Sequence, residues 1–137
     1  MSFESFNLNS SIMAGVRAQG YTTPTSIQHK AIPTIIKGHD VIGLAQTGTG
    51  KTAAFVLPIL QRLLQRPKGQ IRAVIISPTR ELTVQTCEFF SELGRQTRLQ
   101  SIPIYGGVSI EQQIQRLRNG VEIAVACPGR LLDHLWK

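Results

Sequence analysis

A chain of 137 residues with 42% hydrophobic content holds at most one domain of ordinary size with a real core, and it lacks the bias of a disordered or low-complexity segment. Lys and Arg number 15 against 8 Asp and Glu, a net +7 that favours a polyanionic partner such as nucleic acid. Cys87 and Cys127 stand apart with no CxxC or Cys/His cluster, which argues against a zinc site or a disulfide framework; no apolar run approaches the ~20 residues of a membrane span, and no signal peptide opens the chain, so a cytoplasmic location is expected.

Phe3 and Phe6 precede Asn9-Ser10-Ser11, cap candidates for a helix that runs to about Gln19 and ends at Gly20. After Tyr21, Thr22-Thr23-Pro24 places proline in the first turn of a second helix. Ile27, Ala31, Ile32 and Ile35 recur there at helical spacing, Pro33 predicts a bend or early stop, and Gln28 falls on the polar side. From residue 40 strands and helices alternate. The strand candidates are 41–45, 71–77, 101–105 and 121–126; the helices are 51–65, 80–96, 109–118 and one from Pro128 to the terminus. That alternation predicts an α/β fold with a mostly parallel sheet covered on both faces, and ligands beyond the carboxyl ends of the strands.

Each unusual loop follows a strand, so the four loops should share one edge. Ala45-Gln46-Thr47-Gly48-Thr49-Gly50-Lys51-Thr52 reads as a phosphate cradle. Its glycines let backbone N–H groups and a helix N-terminus approach a polyphosphate, Lys51 adds a point charge, and the Thr52 hydroxyl can ligate Mg²⁺. The generic G-x-x-x-x-G-K-[ST] pattern has glycine where this chain has Ala45. The other loops are Pro78-Thr79-Arg80-Glu81, Gly106-Gly107 and Cys127-Pro128-Gly129-Arg130. The three histidines lack ligand spacing and read as surface or loop residues, and Cys87 beside Phe89 and Phe90 reads as a small core residue.

Together these stretches resemble the N-terminal part of the first helicase-core domain of DEAD-box ATP-dependent RNA helicases, over nearly all of residues 1–137. Residues 1–29 resemble the Q-motif region, with Phe3 as the isolated upstream aromatic, and residues 30–137 the phosphate-loop and RNA-loop region. In that family alanine at the position of Ala45 is ordinary. Pro78-Thr79-Arg80-Glu81-Leu82 matches motif Ia, Gly106-Gly107 the paired-glycine motif, and Cys127-Pro128-Gly129-Arg130 motif Ib, with cysteine where the family usually has threonine.

The resemblance implies a RecA-like P-loop NTPase fold, a three-layer sandwich represented here by an incomplete domain. It implies that Gln28 reads adenine through the paired donor and acceptor of its amide, that Phe3 stacks on the ring, and that Tyr21 and Thr23 shape the pocket. The alternatives are a solvated helix residue for Gln28 and core packing for Phe3. Ala45 to Thr52 would bind ATP, with Lys51 and Thr52 the catalytic participants and Thr52 a Mg²⁺ ligand. Pro78, Thr79, Arg80, Gly106, Gly107, Pro128, Gly129 and Arg130 would grip the sugar-phosphate backbone of RNA, independently of base sequence; the rival for Arg80 is a weak ion pair with Glu81.

The family's Asp-Glu-Ala-Asp motif and its second domain are absent from these residues, which contain no Asp-Glu pair. The expectation is therefore a piece of a helicase that does not hydrolyse ATP alone, and whose unpaired sheet edges favour association or loose folding. Two rivals stand beside it: a non-hydrolysing module that binds RNA or a protein partner, and an unrelated P-loop enzyme such as a small kinase.

Overall fold

The computed structural model describes residues 2–65 and 69–136; Met1, residues 66–68 and Lys137 lie outside it, and with them the last residue of the expected final helix. The chain forms two compact units, Met1–Arg66 with Glu92–Arg98, and Pro67–Ser91 with Leu99–Lys137.

The first unit is helical. A short 3₁₀ turn, Phe3–Phe6, leads into α1 (Ser10–Ala18), where Asn9 Oδ1 accepts from Ser11 N at 2.9 Å and caps the first turn. Helix α2 (Ser26–Ile36) is capped by Thr25, so Pro24 precedes the cap instead of occupying the first turn. Pro33 lies inside α2 and Pro58 inside α3 (Lys51–Leu63), and neither ends its helix. Interior proline costs roughly 3 kcal/mol, and packing offsets it here: α2 and α3 lie against each other and bury Ile32, Val56, Leu57 and Leu60.

Residues 41–45 do not form the expected strand. No described residue pairs with them in a ladder, and Ile42 and Leu44 are 91% and 89% exposed. An apolar segment becomes a stable strand when neighbours take up its N–H and C=O groups, and the strands that are present lie elsewhere in the chain.

Those strands belong to the second unit: β1 (Ala73–Ile76), β2 (Ser101–Ile104) and β3 (Ile123–Ala126), all parallel, in the order β1-β3-β2. Helix α4 (Arg80–Leu93) follows β1, α5 (Ile110–Asn119) joins β2 to β3, and α6 (Pro128–Leu135) follows β3. Central β3 is buried throughout. Paired residues of an in-register parallel sheet share a face, so Ile102, Ile104, Ala124 and Ala126 form one surface, packed with Val121, Leu117 and Leu131. Val74 and Ile76 of β1 lie on that same face by register yet are more than half exposed, so the expected cover on both faces stops short of β1.

The ladder ends in register at Ile76, Ala126 and Ile104, which sets the loops after all three strands at the carboxyl edge of one sheet. Three of the four expected loops therefore share an edge. The phosphate-type loop belongs to the first unit.

Candidate nucleotide and nucleic-acid sites

In the first unit the loop before α3 takes its shape from two glycines. Gly48 and Gly50 have φ of +83° and +82°, the left-handed region that glycine enters without strain, and Gly50 hands over to Lys51 at the first residue of α3. Thr49 Oγ1 donates to Gln46 O at 2.6 Å and closes the turn from inside. Gln46, Thr47, Gly48 and Lys51 are exposed, while Ala45, Thr49, Gly50 and Thr52 are half-buried. This is the form of an anion cradle: open backbone, a helix N-terminus and a lysine at its mouth. Two clefts adjoin it. One of about 380 Å³ is lined by Thr25, Ser26, Ile27, Lys30, Leu44, Ala45 and Thr49; another of about 350 Å³ includes Lys51, Thr52 and Phe55.

Gln28 is 4% exposed, in contrast to the polar-side position that helical spacing suggests. It is the third residue of α2 and completes a capping box. Its Oε1 accepts from Thr25 N at 3.0 Å while its backbone N donates to Thr25 Oγ1 at 3.4 Å. Its Nε2 donates to Gly50 O at 3.2 Å. The amide thus ties the start of α2 to the cradle residue that immediately precedes α3 and keeps one N–H and one carbonyl lone pair uncommitted. A Cβ on Gly50 would collide with Nε2, so glycine is required there for space as well as for φ.

Phe3 is 2% exposed, edge-on to Phe6 with centroids 5.8 Å apart and stacked with Tyr21 at 6.0 Å. Tyr21 is half-buried, and burial, with a smaller contribution from the Glu92 carboxylate, pushes its phenol above the ordinary value. Thr23 is exposed.

In the second unit Thr79 caps α4: its Oγ1 accepts from Leu82 N at 3.2 Å and its carbonyl from Thr83 Oγ1 at 2.9 Å. Pro78 and Thr79 are exposed, as is Arg80, whose guanidinium carbon lies 4.5 Å from the centroid of the Tyr105 ring. Gly106 and Gly107 are exposed, Gly107 with φ +82° and open space where a Cβ would stand. At the third loop Pro128 is the first residue of α6, and Gly129 is exposed with open space around it. Arg130 turns inward, its side chain 13% exposed, and Nη1 donates to Val108 O at 3.1 Å. Cys127 Sγ sits 3.2 Å from Thr83 Oγ1 and so faces α4.

Three participants escape a reading by motif. Tyr105 holds Arg80, Gln113 is buried among polar groups of the loop after β2 and of α6, and His134, read from sequence as surface or loop, is half-buried with Nε2 2.8 Å from Gln113 Oε1. The trace left by Gln113 is a glutamine on the apolar stripe Ile110, Ile114, Leu117 of α5. Among the described residues no group of three or more His, Cys, Asp or Glu gathers as a metal site, and no helix is long and apolar enough to cross a membrane.

Residues 25–137 match the family model described as DEAD/DEAH box helicase. The chain is 49% identical over 131 residues to the ATP-dependent RNA helicase DBP10 of Candida albicans, covering 96% of this chain and 14% of that protein. It is 45% identical over 134 residues to the DEAD-box ATP-dependent RNA helicase RhpA of Helicobacter pylori, covering 98% of this chain and 27% of that protein. Among solved structures, a DEAD box protein from Methanococcus jannaschii superposes with a TM-score of 0.89 at 37% identity, over 98% of this chain and 37% of that one.

Proposed function

Because the chain belongs to the DEAD/DEAH box helicase family, we propose that it is the nucleotide- and RNA-holding portion of an ATP-dependent RNA helicase. It spans 14% and 27% of the two relatives named above, so activity, substrate and partners are assigned here as a proposal. Family membership removes the unrelated P-loop enzyme as a rival.

The observation that carries the reading is the Gly48–Thr52 cradle opening α3, with Gln28 bonded to its Gly50 carbonyl. The glycine backbone and Lys51 fit a triphosphate. Thr52 supplies a hydroxyl for Mg²⁺, whose other ligands would be phosphate oxygens and water; the ion supplies charge neutralisation between phosphates. The remaining N–H and lone pair of Gln28 form the donor–acceptor pair that an adenine edge requires. We assign Tyr21 and Thr23 to the shaping of the adenine pocket, although neither lines the two clefts beside the cradle, and a stacking role for Phe3 requires its ring to leave the contact with Phe6 and Tyr21. Exposed Thr79, Arg80, Gly107 and Gly129 support a grip on RNA phosphates that is independent of base sequence and weakens with salt. No Asp-Glu pair is present to hold the ion and orient water, so we assign binding of ATP, without turnover, to these 137 residues. A cytoplasmic setting completes the proposal, supported by two free cysteines.

Titration with a fluorescent ATP analogue in Mg²⁺ tests it. The chain should bind, Lys51→Ala should not, Gln28→Ala should lose preference for ATP over GTP, and phosphate release should stay at background with or without RNA. Binding that is indifferent to Lys51, or turnover by the chain alone, would sink the reading.

A further inference from the structure

Gln113 is 6% exposed on α5, where Ile110 and Leu117 mark an apolar face, and its amide is committed to the loop after β2 and to α6. Nε2 donates to Tyr105 O at 3.0 Å, at the start of the loop after β2. Oε1 faces Arg130 Nη1 at 3.4 Å and His134 Nε2 at 2.8 Å, both on α6. The same Nη1 donates to Val108 O at the far end of the β2 loop, and Arg130 Nε lies 3.5 Å from Asp133 Oδ2. The amide orientation follows from these partners, since a flip would set Oε1 against Tyr105 O and Nε2 against Arg130. Tyr105 in turn offers its ring to Arg80.

We propose that Gln113 is a positioning residue for RNA binding: it fixes the Gly106-Gly107 loop against the N-terminus of α6 and, through Tyr105, draws Arg80 into the same array. The three loops then meet a single strand as one preset surface, and ordering costs that a flexible grip would incur on binding are already met by folding. A leucine would fill this place on α5 at lower desolvation cost. The amide is justified by the carbonyl and guanidinium it holds, which belong to the loop after β2 and to α6, beyond the reach of the ladder. In this arrangement Arg130 acts from inside, as a strut between Val108 O and Gln113, while Gly107 and Gly129 face outward. The inference rests on the RNA reading above.

The test is equilibrium binding of fluorescein-labelled oligouridylate to the chain across a salt series, with thermal melting and amide hydrogen exchange on the same samples. Gln113→Leu keeps volume and removes both polar groups. It should bind roughly tenfold more weakly, with a log K against log salt slope shallower by about 0.7 for each phosphate that is no longer neutralised, and should speed exchange at Gly106, Gly107 and Gly129. Gln113→Glu keeps an acceptor for Arg130 and His134 but turns a carboxylate oxygen on Tyr105 O, so exchange should rise at Gly106 and Gly107 and not at Gly129. An unchanged slope in Gln113→Leu overturns the inference even where its melting midpoint falls, because a residue that only fills space moves the midpoint and not the slope. Should Gln113→Leu fail to fold, Arg130→Lys, which keeps the charge but not the strut, decides by the same slope. If the unsubstituted chain binds no oligouridylate, the RNA reading fails; faster exchange at Gly106 and Gly107 then still supports the positioning role, and unaltered exchange removes it.

Discussion

The two units prepare their candidate sites by different means. In the first, shape is written in the backbone: left-handed Gly48 and Gly50, and one amide, Gln28, that reaches across to hold the turn. In the second, the loops lie where an in-register parallel ladder leaves them, and side chains brace them from below. A cradle made of backbone needs glycine and tolerates little else, whereas braced loops spread the task over several residues, each dispensable in part. Substitutions should therefore act all-or-none in the first unit and by degrees in the second.

The largest expected effect probes the ground on which the first cradle stands. Phe3→Ala removes a ring that is buried to 2% and should destabilise the chain by about 3–5 kcal/mol in a denaturant titration. A loss below about 1 kcal/mol with a large fall in ATP affinity would instead make Phe3 a nucleobase platform.

Next comes a pH effect in the second unit. Burial pushes the Cys87 thiol up to about 11 from an ordinary value of 9.0, so the unfolded chain loses that proton first as pH rises. The contribution is complete below about pH 9 and disappears between about pH 9 and 11, for a total of about 2–3 kcal/mol. Chemical denaturation at pH 8 and pH 10.5, compared with Cys87→Ala, isolates it; equal pH slopes in the two proteins would count against it.

Gly50→Ala should cost about 1–3 kcal/mol through its positive φ and abolish binding of the ATP analogue through collision with Gln28. Retained nucleotide binding would break the contrast between a backbone-set and a braced site. The smallest effect is expected at the unladdered segment: Ile42→Ser, at 91% exposure, should change stability by less than about 0.5 kcal/mol while reducing self-association in sedimentation. A large loss of stability would mean that residues 41–45 find a ladder in solution.

Much of this arrangement is legible in sequence where one local rule decides it. Strand-type runs at 71–77, 101–105 and 121–126 became β1, β2 and β3, and glycines marked the turns at Gly48, Gly50 and Gly107. Residues 41–45 carry the same apolar signal and form no strand, because a ladder depends on a partner that no local pattern encodes. Gln28 was legible as a motif residue, and Thr25-x-x-Gln28 is also a capping box, which announces a bonded amide and not a solvated one. Gln113 and Arg130 were not legible as braces. Their partners are carbonyls of Tyr105 and Val108, and a backbone carbonyl leaves no trace in residue identity.

At the opposite end of the sheet Glu122, just before β3, is 3% exposed and accepts from Gly69 N at 2.6 Å and Gln100 N at 2.7 Å. One carboxylate thus gathers the chain entering β1 and the chain entering β2 around the strand between them. The two amides it covers precede the ladder and would otherwise rely on water. The sheet is consequently clasped at its entrance by the Glu122 carboxylate and at its exit by the Gln113 amide and Arg130. Different side chains thus hold the two ends, so substitution of Glu122 should raise solvent exchange at Gly69 and Gln100 more than it loosens the carboxyl-edge loops.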